Sequence, residues 1–226
     1  MTMLFLAADG LFAKEQETLK VLADLASTNL TFGIKINLDY ILRRGCSTAV
    51  KAIQGFGRLI FCDIKMFNGS RTMVNVAKEI VDQGAEFLNV YAQADALIPP
   101  VIEVTRGTNT KVLGVTLLTH FDREYCEHHF KQSWESAIQH LAFTAIGQEC
   151  DGIILPGTAL DLVEDMEVIK VVPGVRPSWY KDTRHEEAIE PSVAMLKGAD
   201  IVVCGGPIMM AGNPKLALKD ILAELS

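Results

Sequence analysis

Short unbroken apolar runs recur along the 226-residue chain, and the stretches between them carry a different period. The runs are LFLAAD (4–9), FGIKI (32–36), RLIFCDIK (58–65), FLNVYA (87–92), KVLGVTLL (111–118), GIILP (152–156), IKVVPG (169–174) and IVVCGG (201–206). Near-continuous apolar runs of this length fit strands buried on both faces. Between them, residues 71–83 place Met73, Val74, Ala77, Ile80 and Val81 on one helical face, and 14–26, 38–54, 132–147 and 213–225 read similarly. Ser70, Ser133 and Asn213 are candidate N-caps, while Gly84 and Gly198 stand where helices should end. Eight strands alternating with helices, at about 28 residues a unit, predict an α/β fold of the (β/α)8 TIM-barrel type. With no linker or low-complexity stretch, residues 1–226 read as one domain. An open doubly wound sheet is the competing arrangement, but no GxGxxG follows the first strand.

In such a barrel, catalytic groups gather at the C-terminal ends of the strands. Asp9 ends the first run, Lys35 lies near the end of the second, and Asp63 and Lys65 end the third. Thr119 and His120 follow the fifth, Pro173, Gly174 and Arg176 the seventh, and Gly205 and Gly206 the eighth. A lysine inside FGIKI needs an anionic partner, and Asp63 is the candidate. Asp63 and Lys65 are two residues apart, so their side chains leave the strand on the same side. Two lysines and a carboxylate at one mouth keep each other ionised. That array suits a reaction in which negative charge develops on carbon and then receives a proton, with no electron-sink cofactor. A purely structural salt-bridge network is the alternative. The turns PGVRP and CGGP offer backbone N–H groups to a phosphate, in the two places where barrels often bind one.

Composition narrows the choice. At 49% hydrophobic and 22% charged residues, the chain can form a packed core, and its net charge of −7 argues against nucleic-acid binding. Five scattered cysteines without a CxxC spacing fit reduced thiols in the cytoplasm, with Cys62 and Cys204 as core residues. The opening MTMLFLAADG is too short for a signal peptide and lacks a basic leader, and no run approaches the ~20 apolar residues of a membrane span. His120, His128 and His129 share a stretch with Asp122 and Glu127, but their spacing matches no standard ligand set, so a solvated loop is expected and no metal site.

Lys35, the DxK of Asp63 and Lys65, PGVRP at 173–177 and GADIVVCGGPI at 198–208 together resemble the orotidine 5′-phosphate decarboxylase family, over nearly the whole chain. The resemblance implies a homodimer with sites at the interface and metal-free decarboxylation of orotidine 5′-phosphate to UMP. It gives Asp9 a ribose hydroxyl, Lys35 a place in the charge network, Asp63 a position against the substrate carboxylate, Lys65 the proton for C6, and Thr119 the pyrimidine. The chain departs from the pattern in three places. Asn68 replaces the last Asp of DxKxxD, either as a turn residue or as an uncharged ribose contact. Tyr91 stands where VHA has histidine, and Gly206 where GRPI has the phosphate-binding arginine. Arg184 or Lys181 is expected to supply the missing cation, ahead of Arg176. Two further functions stay open: a decarboxylase or lyase of a related phosphorylated or pyrimidine acid, and a nucleotide-binding protein without turnover.

Overall fold

The structure, a computed structural model, describes residues 2–181 and 189–226. Eight parallel strands pair in sequence order: β1 (Met3–Ala7), β2 (Gly33–Asn37), β3 (Ile60–Met66), β4 (Phe87–Tyr91), β5 (Lys111–Val115), β6 (Gly152–Ile154), β7 (Ile169–Pro173) and β8 (Ile201–Cys204). Pairing of β8 with β1, from Met3–Ile201 to Leu6–Cys204, closes the barrel and rules out the open sheet. Around it lie α1 (Glu15–Ala26), α2 (Leu38–Arg44), α3 (Cys46–Gln54), α4 (Ser70–Asp82), α5 (Pro99–Thr105), α6 (Arg123–Phe130), α7 (Trp134–Gly147), α8 (Pro191–Leu196), α9 (Gly206–Met209) and α10 (Pro214–Glu224).

Strand alternation divides the apolar residues between two cores. Inward side chains fill the barrel: Phe5 meets Phe61 and Phe87 edge to face at 6.0 and 5.5 Å, in a cluster that includes Leu113, Val171 and Ile201. Gly33 makes room for this cluster, because a Cβ there would lie 2.3 Å from the Phe5 ring. Outward residues such as Leu6, Ile34 and Leu88 pack beneath Leu22, Ile53 and Ile80 of the helices. Both faces of each strand are therefore apolar, which is why the strands read as unbroken runs.

Ser133 and Asn213 cap α7 and α10, accepting from the backbone N–H of Ser136 and Leu216 at 3.2 Å each. Ser70 is instead the first residue of α4, with Gly69 at the cap position and no side-chain bond there. Gly84 and Gly198 follow α4 and α8 with left-handed φ of 74° and 84°, as glycine allows. The single helix expected over 38–54 is two: Gly45, with φ 75° and ψ 144°, breaks it between α2 and α3. Amphipathic spacing continues through the break, so periodicity alone misses it. The run 111–118 pairs as a strand only to Val115, after which the N–H and Oγ1 of Thr116 both donate to the Ile154 carbonyl.

The histidine-rich stretch is helical only in its second part, while His120 stays in the turn before α6. Asp122 caps α6 by accepting from the Tyr125 N–H at 2.7 Å, and His128 and His129 sit in its last turn. Among the described residues, no three His, Cys, Asp or Glu side chains cluster closely enough to hold a metal ion. All five cysteines are free, and burial pushes the Cys204 thiol up to about 12 and raises Cys62 as well. No helix among the described residues is long and apolar enough to cross a membrane.

Candidate active site

The site is built on an irregularity in β3. Its register against β4 shifts between Cys62 and Met66, and within that bulge Lys65 has φ 45°, a conformation lysine rarely adopts. The bulge coincides with the charged pair. Lys65 Nζ donates to Asp63 Oδ1 at 2.5 Å, while Lys35 Nζ, from β2, donates to Oδ2 at 3.0 Å. Asn89 of β4 adds a third donor: its Nδ2 lies 2.7 Å from Asp63 Oδ1, and its Oδ1 accepts from the N–H groups of Ile64 (2.9 Å) and Lys65 (2.6 Å).

The network continues toward β1. Lys35 Nζ also donates to Asn37 Oδ1 and lies 3.5 Å from Asp9 Oδ1, which accepts from Asn37 Nδ2 at 3.0 Å. Parallel register makes this possible, since Lys35 pairs with Ala7 and Asn37 with Asp63. Charges thus alternate across three adjacent strands: Asp9, Lys35, Asp63, Lys65.

Burial and charge oppose each other here. Burial alone would raise the Asp63 carboxyl, yet Lys35 and Lys65, with the hydrogen bonds of Lys65 and Asn89, hold it well below the usual carboxylate range. For Lys35, burial favours the neutral amine, but the charges of Asp63 and Asp9 outweigh it and leave the ammonium above its ordinary value. Tyr91, at the end of β4, is raised first by burial and then by the charge of Asp63. Asp63 and Lys35 are therefore both ionised at neutral pH.

A cavity of about 210 Å³ opens above the array. Asp9, Lys35, Asp63, Lys65 and Thr119 line it, as do Pro173, Gly174, Gly205 and Gly206. Phe61, Val115, Ile154, Val171 and Val203 add apolar walls. Gly205 sits close against β1, where a Cβ would stand 3.1 Å from the Ala7 Cβ and 3.2 Å from its carbonyl, tighter than ordinary contact. Arg176 reaches the cavity too, donating to the carbonyls of Gly174 (3.2 Å) and Val175 (3.1 Å).

One expected residue is not brought in: Asn68 is exposed beyond the cavity, and its Oδ1 accepts from the Gly69 N–H at 2.7 Å, the contact of a turn residue. Arg184 lies outside the described residues. Conversely, Asn37 and Asn89 escaped the sequence reading. Asn37 stands two positions past Lys35, on its side of the strand, and Asn89 is the one polar position in the interior of FLNVYA. An amide within an apolar strand was the available clue.

An ionised carboxylate and an ammonium, fixed at the edge of a largely apolar cavity, can stress an anionic group on a ligand and then deliver a proton to the carbon it leaves.

A model of the "Orotidine 5'-phosphate decarboxylase / HUMPS family" matches residues 2–221. The orotidine 5′-phosphate decarboxylase of Afipia carboxidovorans is 29% identical over 211 residues, spanning 92% of this chain and 88% of its own. That of a Nitratiruptor species is 30% identical over 172 residues, spanning 74% and 76%. Among solved structures, an uncharacterized conserved protein from Geobacillus kaustophilus superposes with a TM-score of 0.83 at 19% identity, covering 99% and 100% of the two chains. The orotidine 5′-phosphate decarboxylase of Lactobacillus acidophilus does so with a TM-score of 0.79 at 24% identity, covering 100% and 98%. At these identities the superpositions speak for the fold.

Proposed function

Because the chain belongs to the orotidine 5′-phosphate decarboxylase / HUMPS family, we propose that it decarboxylates orotidine 5′-phosphate to UMP, as a single barrel domain and without a metal ion. The observation that carries this reading is the Lys35–Asp63–Lys65 array at the cavity wall. Asp63 lies against the substrate carboxylate and disfavours it electrostatically. As the C6–carboxyl bond breaks and carbon dioxide departs, Lys65 stabilises the electron pair left on C6 and transfers a proton to it; solvent then reprotonates the amine. Asp9 and Lys35 hold the ribose and Thr119 the pyrimidine, while a phosphate rests on the turn at Gly205–Gly206, with Arg184 as added cation; Pro173 and Gly174 only line the cavity, because proline has no N–H and those of Gly174, Val175 and Arg176 are bonded to the carbonyls of Val203 and Ile189. Both Asp63 oxygens already accept from ammonium groups, so a divalent cation would have to displace a lysine to bind there.

The protein acts as a homodimer in the cytoplasm in this reading, with Asn68 extending toward the partner's site from its exposed turn. A monomer in sedimentation at working concentration would remove that part of the proposal.

Gly206 favours a second reading. With no side chain where the resemblance leads one to expect an arginine, the substrate could be a related sugar or pyrimidine acid. Loss of the ultraviolet absorbance of orotidylate, followed with and without a chelator, separates the cases. Rapid loss insensitive to chelator is expected. Turnover that the chelator abolishes points to metal-dependent chemistry, and UMP binding without turnover to a nucleotide-binding protein.

A further inference from the structure

We propose that Asn89 is the positioning residue of this site: its carboxamide locks the β3 bulge and binds Asp63, so that the Asp63 carboxylate and Lys65 ammonium face the cavity together. Asn89 is fully buried, and both ends of its side chain are spent on β3. One oxygen accepts from two consecutive N–H groups, those of Ile64 and Lys65. In a regular strand, successive N–H groups point to opposite sides; they converge here because the chain is bulged and Lys65 takes φ 45°. Surroundings must enforce such a conformation, and the Asn89 oxygen is the group that does so.

The other end of the amide supports the charge state that Lys35 and Lys65 set. Asp63 Oδ1 is shared between Lys65 Nζ and Asn89 Nδ2. A neutral donor binds the carboxylate without adding a third cation to the array, and an amide presents donor and acceptor at one tip whatever the pH. An apolar residue would leave two buried N–H groups unpaired, and an ionised one would set a second negative charge against Asp63. The charged and titratable groups facing this point are Asp63 and Lys65 of β3, Lys35 of β2, Asp9 after β1 and Tyr91 of β4. From β5, Asn89 is paired with Leu113, which carries no charge.

Asn89→Asp tests this with almost no change of shape. When protonated, the introduced carboxyl can donate to Asp63 and accept from both N–H groups, as the amide does. When ionised it cannot donate, and it repels Asp63. The two carboxyls share a proton at low pH, and that shared proton leaves at a higher pH than an isolated carboxyl would lose it. The variant's kcat on orotidylate should approach wild type near pH 5 and fall about 10- to 100-fold below it by pH 8, the loss of one charge-assisted hydrogen bond. Wild type should stay flat between these limits. A deficit that is equal at every pH, or no deficit, overturns the proposal, since a merely structural role would not follow the proton.

The kinetic arm rests on the decarboxylase reading, so a second readout does not use it. In protein labelled with 13Cγ-aspartate, the Asp63 signal can be identified by its absence from Asp63→Asn, and the carboxyl introduced by Asn89→Asp as the signal that wild type lacks. Asp63 should remain a carboxylate from pH 4 to 8 in both proteins, since Lys35 and Lys65 are kept, whereas the introduced carboxyl should titrate with a midpoint above the ordinary aspartate value of about 4. Failure of wild type to turn over orotidylate would dismiss the reaction while leaving this titration to decide on Asn89, and a midpoint at or below the ordinary value would dismiss Asn89, because the group would then not face the Asp63 carboxylate.

Discussion

Carboxylates at the two ends of the barrel do different work. At the base, the residue preceding each of three even-numbered strands reaches back to the strand before it. Glu86 Oε2 accepts from the Ile60 N–H at 2.6 Å, Asp151 Oδ2 from Val112 at 2.8 Å, and Asp200 Oδ2 from Lys170 at 2.8 Å. Each supplies an acceptor to the backbone at the start of β3, β5 or β7, so these acids help close the sheet. At the mouth, Asp63 accepts instead from side chains of three strands and lines the cavity. Burying that carboxylate is unfavourable by itself and is offset by two ammonium groups. Acids that tie backbone to backbone serve stability, whereas an acid that faces a cavity among side chains is available for chemistry.

Substitutions at the two ends should therefore separate rate from stability. Lys65→Ala is expected to have the largest effect on rate, lowering kcat on orotidylate by at least about 100-fold, with an unchanged circular dichroism spectrum. Retention of more than a tenth of the wild-type rate would place the proton donor elsewhere. Asp63→Asn should lower kcat by about 100-fold and yet bind UMP as tightly as wild type or more so, because the charge opposing the substrate carboxylate is gone; calorimetry with the product checks it. Parallel losses of rate and product affinity would argue that Asp63 only holds the network together.

Gly206→Arg addresses the phosphate end. A bidentate arginine should tighten UMP binding by about 10- to 100-fold and leave uridine unaffected. Equal effects on both ligands would mean that no phosphate sits there. At the base, Asp200→Ala should lower unfolding free energy by about 1–3 kcal/mol, the penalty for an unpaired buried donor, with kcat changed less than about twofold. A large loss of rate in this variant would collapse the distinction between the two ends.

Acidification gives the smallest and most specific effect. The folded-state pKa of Asp63 is depressed, so its stabilising contribution is complete above the ordinary carboxylate value of about 4 and fades as pH falls through the lower folded value. The difference in melting temperature between wild type and Asp63→Asn should thus be constant from pH 5 to 8 and change only below about pH 4. A change between pH 6 and 8 would mean that Asp63 is not held ionised by its neighbours.

Much of this site was legible before folding because charge is conspicuous in an apolar strand. Lys35 in FGIKI and the pair ending RLIFCDIK stand out against their surroundings, and all three line one cavity. Asn89 did not stand out, since a lone amide raises no demand for an ionic partner and its value depends on a bulge in the adjacent strand. The break at Gly45 was hidden for a related reason: amphipathic spacing describes which face is buried, not whether the axis is continuous.

The sequence by itself determined the barrel, because β strands covered on both faces need unbroken apolar runs and the helices between them need a single apolar face. It also singled out Lys35 as a buried charge, since it lies inside such a run, although Asp9 and Lys111, in two other runs, are exposed. The pairing of Lys35 with Asp63 was expected as well, but only the tertiary structure decided that Glu86 binds backbone and that Asn89 joins Asp63. Glu86 and Asp63 both belong to strand ends, but one meets the backbone N–H of Ile60 and the other the ammonium groups of Lys35 and Lys65. That difference arises from parallel register and from the β3 bulge, which bring residues 26 and 28 positions apart within hydrogen-bond distance. Distances of that kind are properties of the closed sheet and of no single segment.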